Sequence, residues 1–209
     1  MKKEIIGVNK TLLQLREPLF MDKAIIGVNT ILLQVPLFIT IYSMVQLIFT
    51  YKIKYLYFSI SIYVNDLLNL IMNKIFSYIL PESITKRPFN AGVILTDNNI
   101  YDIGTSVLPQ ILPLIPNNKF MIHPTLGFPS GHSQFMMLFA IFMSLYLYND
   151  DSDITTNLPK YIFIWLLAFG VLWQQWFSSS HTILQILVGG LIGIGFGIMY
   201  FKIYTLYFK

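Results

Sequence analysis

Five stretches of this chain are long and apolar enough to cross a lipid bilayer, which takes about 20 residues of helix. They are 30–51, 56–79, 133–149, 161–177 and 182–201, and only the second holds charged residues, Asp66 and Lys74. Hydrocarbon offers no partner to a bare peptide group, so each stretch must satisfy its own backbone as a helix. The expectation is an all-α, polytopic membrane bundle of about five transmembrane helices. Hydrophobic residues make up 55% of the 209 and charged residues 11%, less than half the usual share of a soluble domain. Mean hydropathy is +0.62. That balance excludes disorder and argues strongly against a water-soluble globule. The net charge of +4 does not point to nucleic acid, because most of the cations lie outside the apolar runs, where a membrane requires them. With no cysteine, the chain has neither a thiolate metal site nor a sulfur nucleophile.

Two regions interrupt the apolar pattern. Residues 1–29 read as a surface segment and 30–209 as the membrane-embedded domain. The segments IIGVN, LLQ and PLF of 5–20 recur at 25–38, a single tandem duplication rather than a repeat array. The first copy carries Lys10, Arg16 and Glu17 and is expected to lie on the membrane. The second region is 81–130, with Pro81, Pro88, Pro109, Pro113, Pro116, Pro124 and Pro129. A connection of that length is functional or disordered. The acidic stretch 149–157 reads as a plain solvated turn. Counting five crossings puts 1–29, 81–130 and 177–182 on one face of the membrane. The glycines at 189, 190, 193, 195 and 197 read as small residues that let membrane helices approach.

Three segments of that first face are rich in groups suited to phosphate. They are Thr85-Lys86-Arg87-Pro88, then Pro129-Ser130-Gly131-His132-Ser133 before one span, then Ser178-Ser179-Ser180-His181 before the last. The chain has only three histidines and two arginines, and two of the former and one of the latter fall here. Lysine and arginine supply charge, and arginine grips two oxygens at once. Ser130 and the Gly131 amide at a helix start offer donors and a favourable dipole. One imidazole can attack phosphorus while the other protonates the leaving oxygen.

PSGHSQ followed downstream by HTILQILVGG resembles the type-2 phosphatidic acid phosphatase superfamily, an all-helical lipid phosphatase/haloperoxidase-like fold of metal-independent phosphatases. Within it the likeness is closest to the dolichyl-diphosphate phosphatases. It rests on His132-Ser133-Gln134-Phe135, on His181-Thr182 with Gln185, on Gly189-Gly190, and on Asn65-Asp66 and Asn69 upstream. The resemblance implies His181 as nucleophile, His132 as general acid, and Arg87, Ser130 and Gly131 as phosphate holders. Gln185 would orient His181. No metal or other cofactor is implied.

Two positions depart from the family pattern. Its first motif places a lysine seven residues before the arginine, where this chain has Leu80, and Lys74 and Lys86 are the candidate replacements. Its third motif has an arginine where Gln175 stands, which can hydrogen-bond a phosphate oxygen but carries no charge. The expected function is hydrolysis of a polyprenyl (dolichyl) diphosphate to the monophosphate. The alternative is a catalytically degenerate member that binds a lipid phosphate or a protein partner. Asp66 is the one clear mid-span ionisable group, thin support for a transporter. Lys2, Lys3, Lys10, Arg16 and Lys23 before the first span put that face in the cytoplasm by the positive-inside rule. The resemblance implies instead a lumenal site in the endoplasmic reticulum membrane, and that is the expectation.

Overall fold

The computed structural model describes residues 20–88, 126–150 and 154–208. The chain divides into two units, Met1–Ile31 and Leu32–Lys209. Of the first, only the helical backbone from Phe20 is described, so the earlier copy of the duplication lies outside the described residues. The second copy is helical throughout.

Among the described residues six helices follow in order: α1 Phe20–Thr50, α2 Ile53–Ile79, the single turn α3 Glu82–Thr85, α4 Gly131–Asp150, α5 Ile154–Phe177 and α6 Ile183–Tyr207. The described residues contain no strand, and the fold is the expected membrane helical bundle. Among the described residues four stretches, not the expected five, are long and apolar enough to span a bilayer: Ile31–Thr50 within α1, then α2, α5 and α6. α4 is less apolar because its first turn carries His132, Ser133 and Gln134 and its last carries Asn149 and Asp150. Its middle is enclosed, with Phe135, Met136, Leu138 and Ala140 fully buried. α4 is thus the helix wrapped by the others. The acidic stretch 149–157 is a correction to the expected turn. Asn149 and Asp150 complete α4, and α5 already begins at Ile154.

Glycine decides how close α4 and α6 come. A Cβ at Gly189 would collide with the main-chain oxygen of Ser130, and one at Gly193 with that of Gln134. One at Gly197 would lie 2.9 Å from the Leu138 oxygen. These three positions, spaced by four, form one stripe of α6 on which the α4 backbone rests. Gly190 meets only the Met137 side chain, and Gly195 faces open space, so the packing role expected of all five glycines belongs to three. Aromatic side chains fill the far end, where Phe142 meets Tyr57, Phe58, Phe201 and Tyr204.

The outer face suits lipid. Phe163, Leu166 and Phe169 of α5 and Leu187 and Leu191 of α6 are exposed. Exposed aromatics gather at both ends, Tyr78, Trp173, Trp176 and Phe177 at one and Tyr51, Tyr148 and Tyr207 at the other. Such belts sit at headgroup level.

The described loops gather at two ends of the bundle. Main-chain and side-chain bonds join 84–86, 126–130 and 175–185 at one end. At the other, Lys54 Nζ donates to Tyr146 Oη at 2.8 Å and Tyr57 Oη to the Tyr200 carbonyl at 2.7 Å.

Candidate active site

The site begins with a turn. α5 ends at Phe177 with a reversal in which Ser179 N donates to the Trp176 carbonyl and Ser180 N to that of Gln175. This is a Schellman-type stop, and its left-handed position is held by Ser179 at φ 54° rather than by glycine. The conformation costs a residue with a Cβ about 1 kcal/mol or more. Ser179→Gly is therefore expected to raise the thermal midpoint of the detergent-solubilised protein by a few degrees. An unchanged or lowered midpoint would show that the serine hydroxyl outweighs the strain.

The same turn delivers His181 to the start of α6. Thr182 caps that helix in a full capping box: its Oγ1 accepts from Gln185 N at 3.3 Å, and Gln185 Oε1 accepts from Thr182 N at 3.0 Å. Gln185 does more than cap. Its Nε2 donates to the carbonyls of Ile84 at 2.9 Å and Lys86 at 2.8 Å, tying the Thr85–Arg87 segment to α6. Its Oε1 also lies 3.2 Å from His181 Nδ1.

His181 is almost fully buried, and its Nδ1 has a second oxygen neighbour, the Gly127 carbonyl at 3.0 Å. A main-chain carbonyl can only accept, and the amide oxygen beside it can only accept as well. Nδ1 must therefore carry the proton. In its neutral form the ring then holds its lone pair on Nε2, the nitrogen turned away from both oxygens. An imidazole so fixed presents a nitrogen lone pair capable of nucleophilic attack.

The 126–132 segment forms the opposite wall. Leu126 and Lys86 pair as an isolated antiparallel bridge, and Gly127 N donates to the Thr85 carbonyl at 2.8 Å. Arg87 Nε donates to the Leu126 carbonyl at 3.1 Å. A Cβ at Gly127 would meet Arg87 Cγ at 2.7 Å, Gln185 Oε1 at 3.0 Å and His181 Nδ1 at 3.1 Å, so only glycine lets these three converge. Phe128 packs edge-on to Phe76 of α2, and the Phe128–Pro129 peptide is cis. Ser130 is fully buried and donates its N–H to the Gln185 carbonyl at 3.1 Å. Its hydroxyl accepts from Ser133 at the start of α4. Gly131 and His132 follow in that first turn, both buried.

A polar ladder on α2 backs this loop. Asn69 and Asn73 both donate to the Pro129 carbonyl, at 3.3 and 3.2 Å. Asn69 also donates to Gln134 Oε1 at 2.8 Å, and Gln134 Nε2 to Asn65 Oδ1 at 2.8 Å. All but Asn73 are fully or almost fully buried.

These contacts gather Arg87, Ser130, Gly131, His132, His181 and Gln185 at one end of the bundle. Three expected phosphate ligands are placed differently. Lys86 contributes its carbonyl, while its ammonium pairs with Glu82 one turn back on the exposed side. Lys74 is exposed on α2, one residue past Asn73. Gln175 is fully buried, its Nε2 donating to Gln174 Oε1 at 2.7 Å and its carbonyl accepting from Ser180 and His181. Sequence reasoning missed Gly127, Asn73 and the Leu126 carbonyl. The spacing of Asn65, Asn69 and Asn73 by four was the available signal for the ladder.

Residues 54–208 match the PAP2 superfamily. The chain belongs to that family. Its PAP2 match takes in every site residue named above. Among curated proteins, dolichyldiphosphatase 1 of Dictyostelium discoideum is 31% identical over 86 residues. That stretch is 40% of this PAP2 chain and 38% of the relative, so the likeness spans well under half of either. No solved structure matches the chain.

Proposed function

We propose that the protein hydrolyses a polyprenyl diphosphate of the dolichyl class to its monophosphate and inorganic phosphate, through a phosphohistidine on His181. The single observation that carries this reading is the pair of oxygen acceptors on His181 Nδ1, which leaves the Nε2 lone pair for attack. Family membership supports phosphatase chemistry, and the named relative supports the choice of lipid.

In this reading Nε2 attacks the terminal phosphorus, and the bond from phosphorus to the bridging oxygen breaks. The departing lipid monophosphate takes a proton from His132. Water then attacks the phosphohistidine with His132 as base, the phosphorus–nitrogen bond breaks, and inorganic phosphate leaves. Arg87 and the amides at the start of α4 offset the charge that builds on the phosphoryl oxygens. Gln185 keeps the proton of His181 on Nδ1 through both steps. No metal enters the reaction, and the reading implies a site on the lumenal face of the endoplasmic reticulum membrane.

The test is phosphate release from a polyprenyl diphosphate by detergent-purified protein with EDTA present. His181→Ala is expected to lower the rate by at least about a thousandfold. Equal release by the variant would overturn the mechanism, and loss of wild-type release with EDTA would overturn metal independence.

One observation favours a second reading, a member that binds a lipid phosphate without turnover. Gln175 brings no charge, its donor is committed to Gln174, and its Oε1 is buried without a hydrogen-bond donor among the described residues. On that reading wild type and His181→Ala release no phosphate, and Gln175→Arg produces a large gain.

A further inference from the structure

At the end of the bundle away from His181, a cavity of about 110 Å³ opens between α1, α2 and α4. Its origin is the way α1 packs. α1 has no glycine stripe and leans on α2 through side chains, as in the Ser43–Ser59 hydroxyl pair at 2.9 Å. The cleft this leaves is walled by Ile39, Phe58, Phe142 and Met143. It is smaller than the roughly 150 Å³ cavity that admits benzene, and it is open on one side. That shape takes a length of flexible acyl chain rather than a ring system.

The rim is not apolar. Lys54 lies there with its Nζ 2.8 Å from Tyr146 Oη, 5.0 Å from the centre of that ring and 5.3 Å from the centre of the Tyr55 ring. An ammonium has three donors. Among the described residues Lys54 has one hydrogen bond, to Tyr146, and the two tyrosines hold it at the mouth of the cleft. Asp150, exposed on the last turn of α4, is the nearby acid. Tyr146 follows Gly131 by fifteen residues on α4, so about 22 Å of helix separates this cation from the phosphate loop. The lysine is remote from the proposed reaction and serves no step of it.

A fixed cation over an apolar cleft at headgroup level fits one chemical class. We propose that the cleft binds a membrane phospholipid, with one acyl chain between α1 and α4 and the headgroup phosphate on the Lys54 ammonium. Basic pockets between membrane helices hold phospholipid headgroups in this way, each cation contributing about fivefold in affinity. The bound chain fills space that α1 leaves open and joins that helix to the rest of the bundle.

The test is native mass spectrometry of the detergent-purified full chain titrated with phosphatidylglycerol, and with diacylglycerol of the same two chains as the phosphate-free probe. Wild type is expected to retain one phosphatidylglycerol and no diacylglycerol. Lys54→Met is expected to weaken retention about fivefold, and Lys54→Arg to preserve it. Ser43→Leu, which fills the cleft, should abolish it, and His181→Ala should leave it unchanged. Equal retention of both lipids, or unaltered binding by Lys54→Met, overturns the proposal. Loss in His181→Ala alone would place the bound lipid at the other end and overturn it equally. None of these readouts depends on phosphatase activity.

Discussion

Gly193→Ala is expected to yield little folded protein, whereas Gly195→Ala, two residues on in the same helix, behaves as wild type. The added methyl at 193 overlaps the main-chain oxygen of Gln134, and no side-chain rotation can relieve a clash with backbone. α4 and α6 must part. Overpacking of a core costs about 1–3 kcal/mol through shifted side chains and backbone, and a clash with backbone lies at or beyond the upper end. Parting also displaces Gln134, which bonds both Asn65 and Asn69. At Gly195 the methyl meets nothing within 4 Å, and alanine is the better helix former. The measurement is the monodisperse yield and thermal midpoint of the two variants in one detergent. Equal behaviour would show that α4 and α6 are not in backbone contact.

The second large effect is expected at Gln185. Gln185→Glu looks conservative and preserves the acceptor that His181 and Thr182 use. Its cost falls at the other atom. The amide Nε2 donates to two carbonyls, and a carboxylate oxygen there would face both without a proton. Two hydrogen bonds are lost and two oxygens approach a charge, a penalty of several kcal/mol for a fully buried group. Relief comes from lifting the Thr85–Arg87 segment off α6 or from protonating the carboxyl. The first draws Arg87 away and is expected to lower phosphate release by at least about a hundredfold at neutral pH. The second raises the folded-state pKa above the unfolded value. The variant is then most stable in acid and loses stability as pH rises through that pKa. The check is its thermal midpoint and rate across pH beside the wild type. A full rate at neutral pH would show that Gln185 does not hold the first segment to the last.

Both results bear on what could be read from the chain alone. The five long helices were legible because lipid forces helices on long apolar runs, and their ends fell within about ten residues of the structure, though only four of them qualify as spans. That the two histidines, Arg87 and Ser130 lie together was legible because polar groups beside apolar spans are few, and Gln185 was added to them by the resemblance of HTILQ to a family motif. Gly127 was not. It has no periodicity and no chemistry of its own, and its role exists only where Arg87, His181 and Gln185 converge. Lys86 was read as a phosphate ligand from its charge, but the short turn of α3 sets Glu82 beneath it, and the nearer partner holds the ammonium. Gln175 was read from its place in a motif. The structure shows its main-chain carbonyl, an atom common to all residues, holding the turn to His181.

Trp173 and Trp176 lie just before the turn that carries His181, with their rings exposed on the outer face of α5. Indoles settle at the depth of the headgroups and resist moving up or down. On the proposed function they moor the imidazole at the plane where a lipid phosphate travels, so such a substrate need not be lifted from its leaflet. Encounter becomes a two-dimensional search. Turnover should follow the mole fraction of substrate in the bilayer rather than its concentration in the tube, and inert lipid added at constant total substrate should slow it.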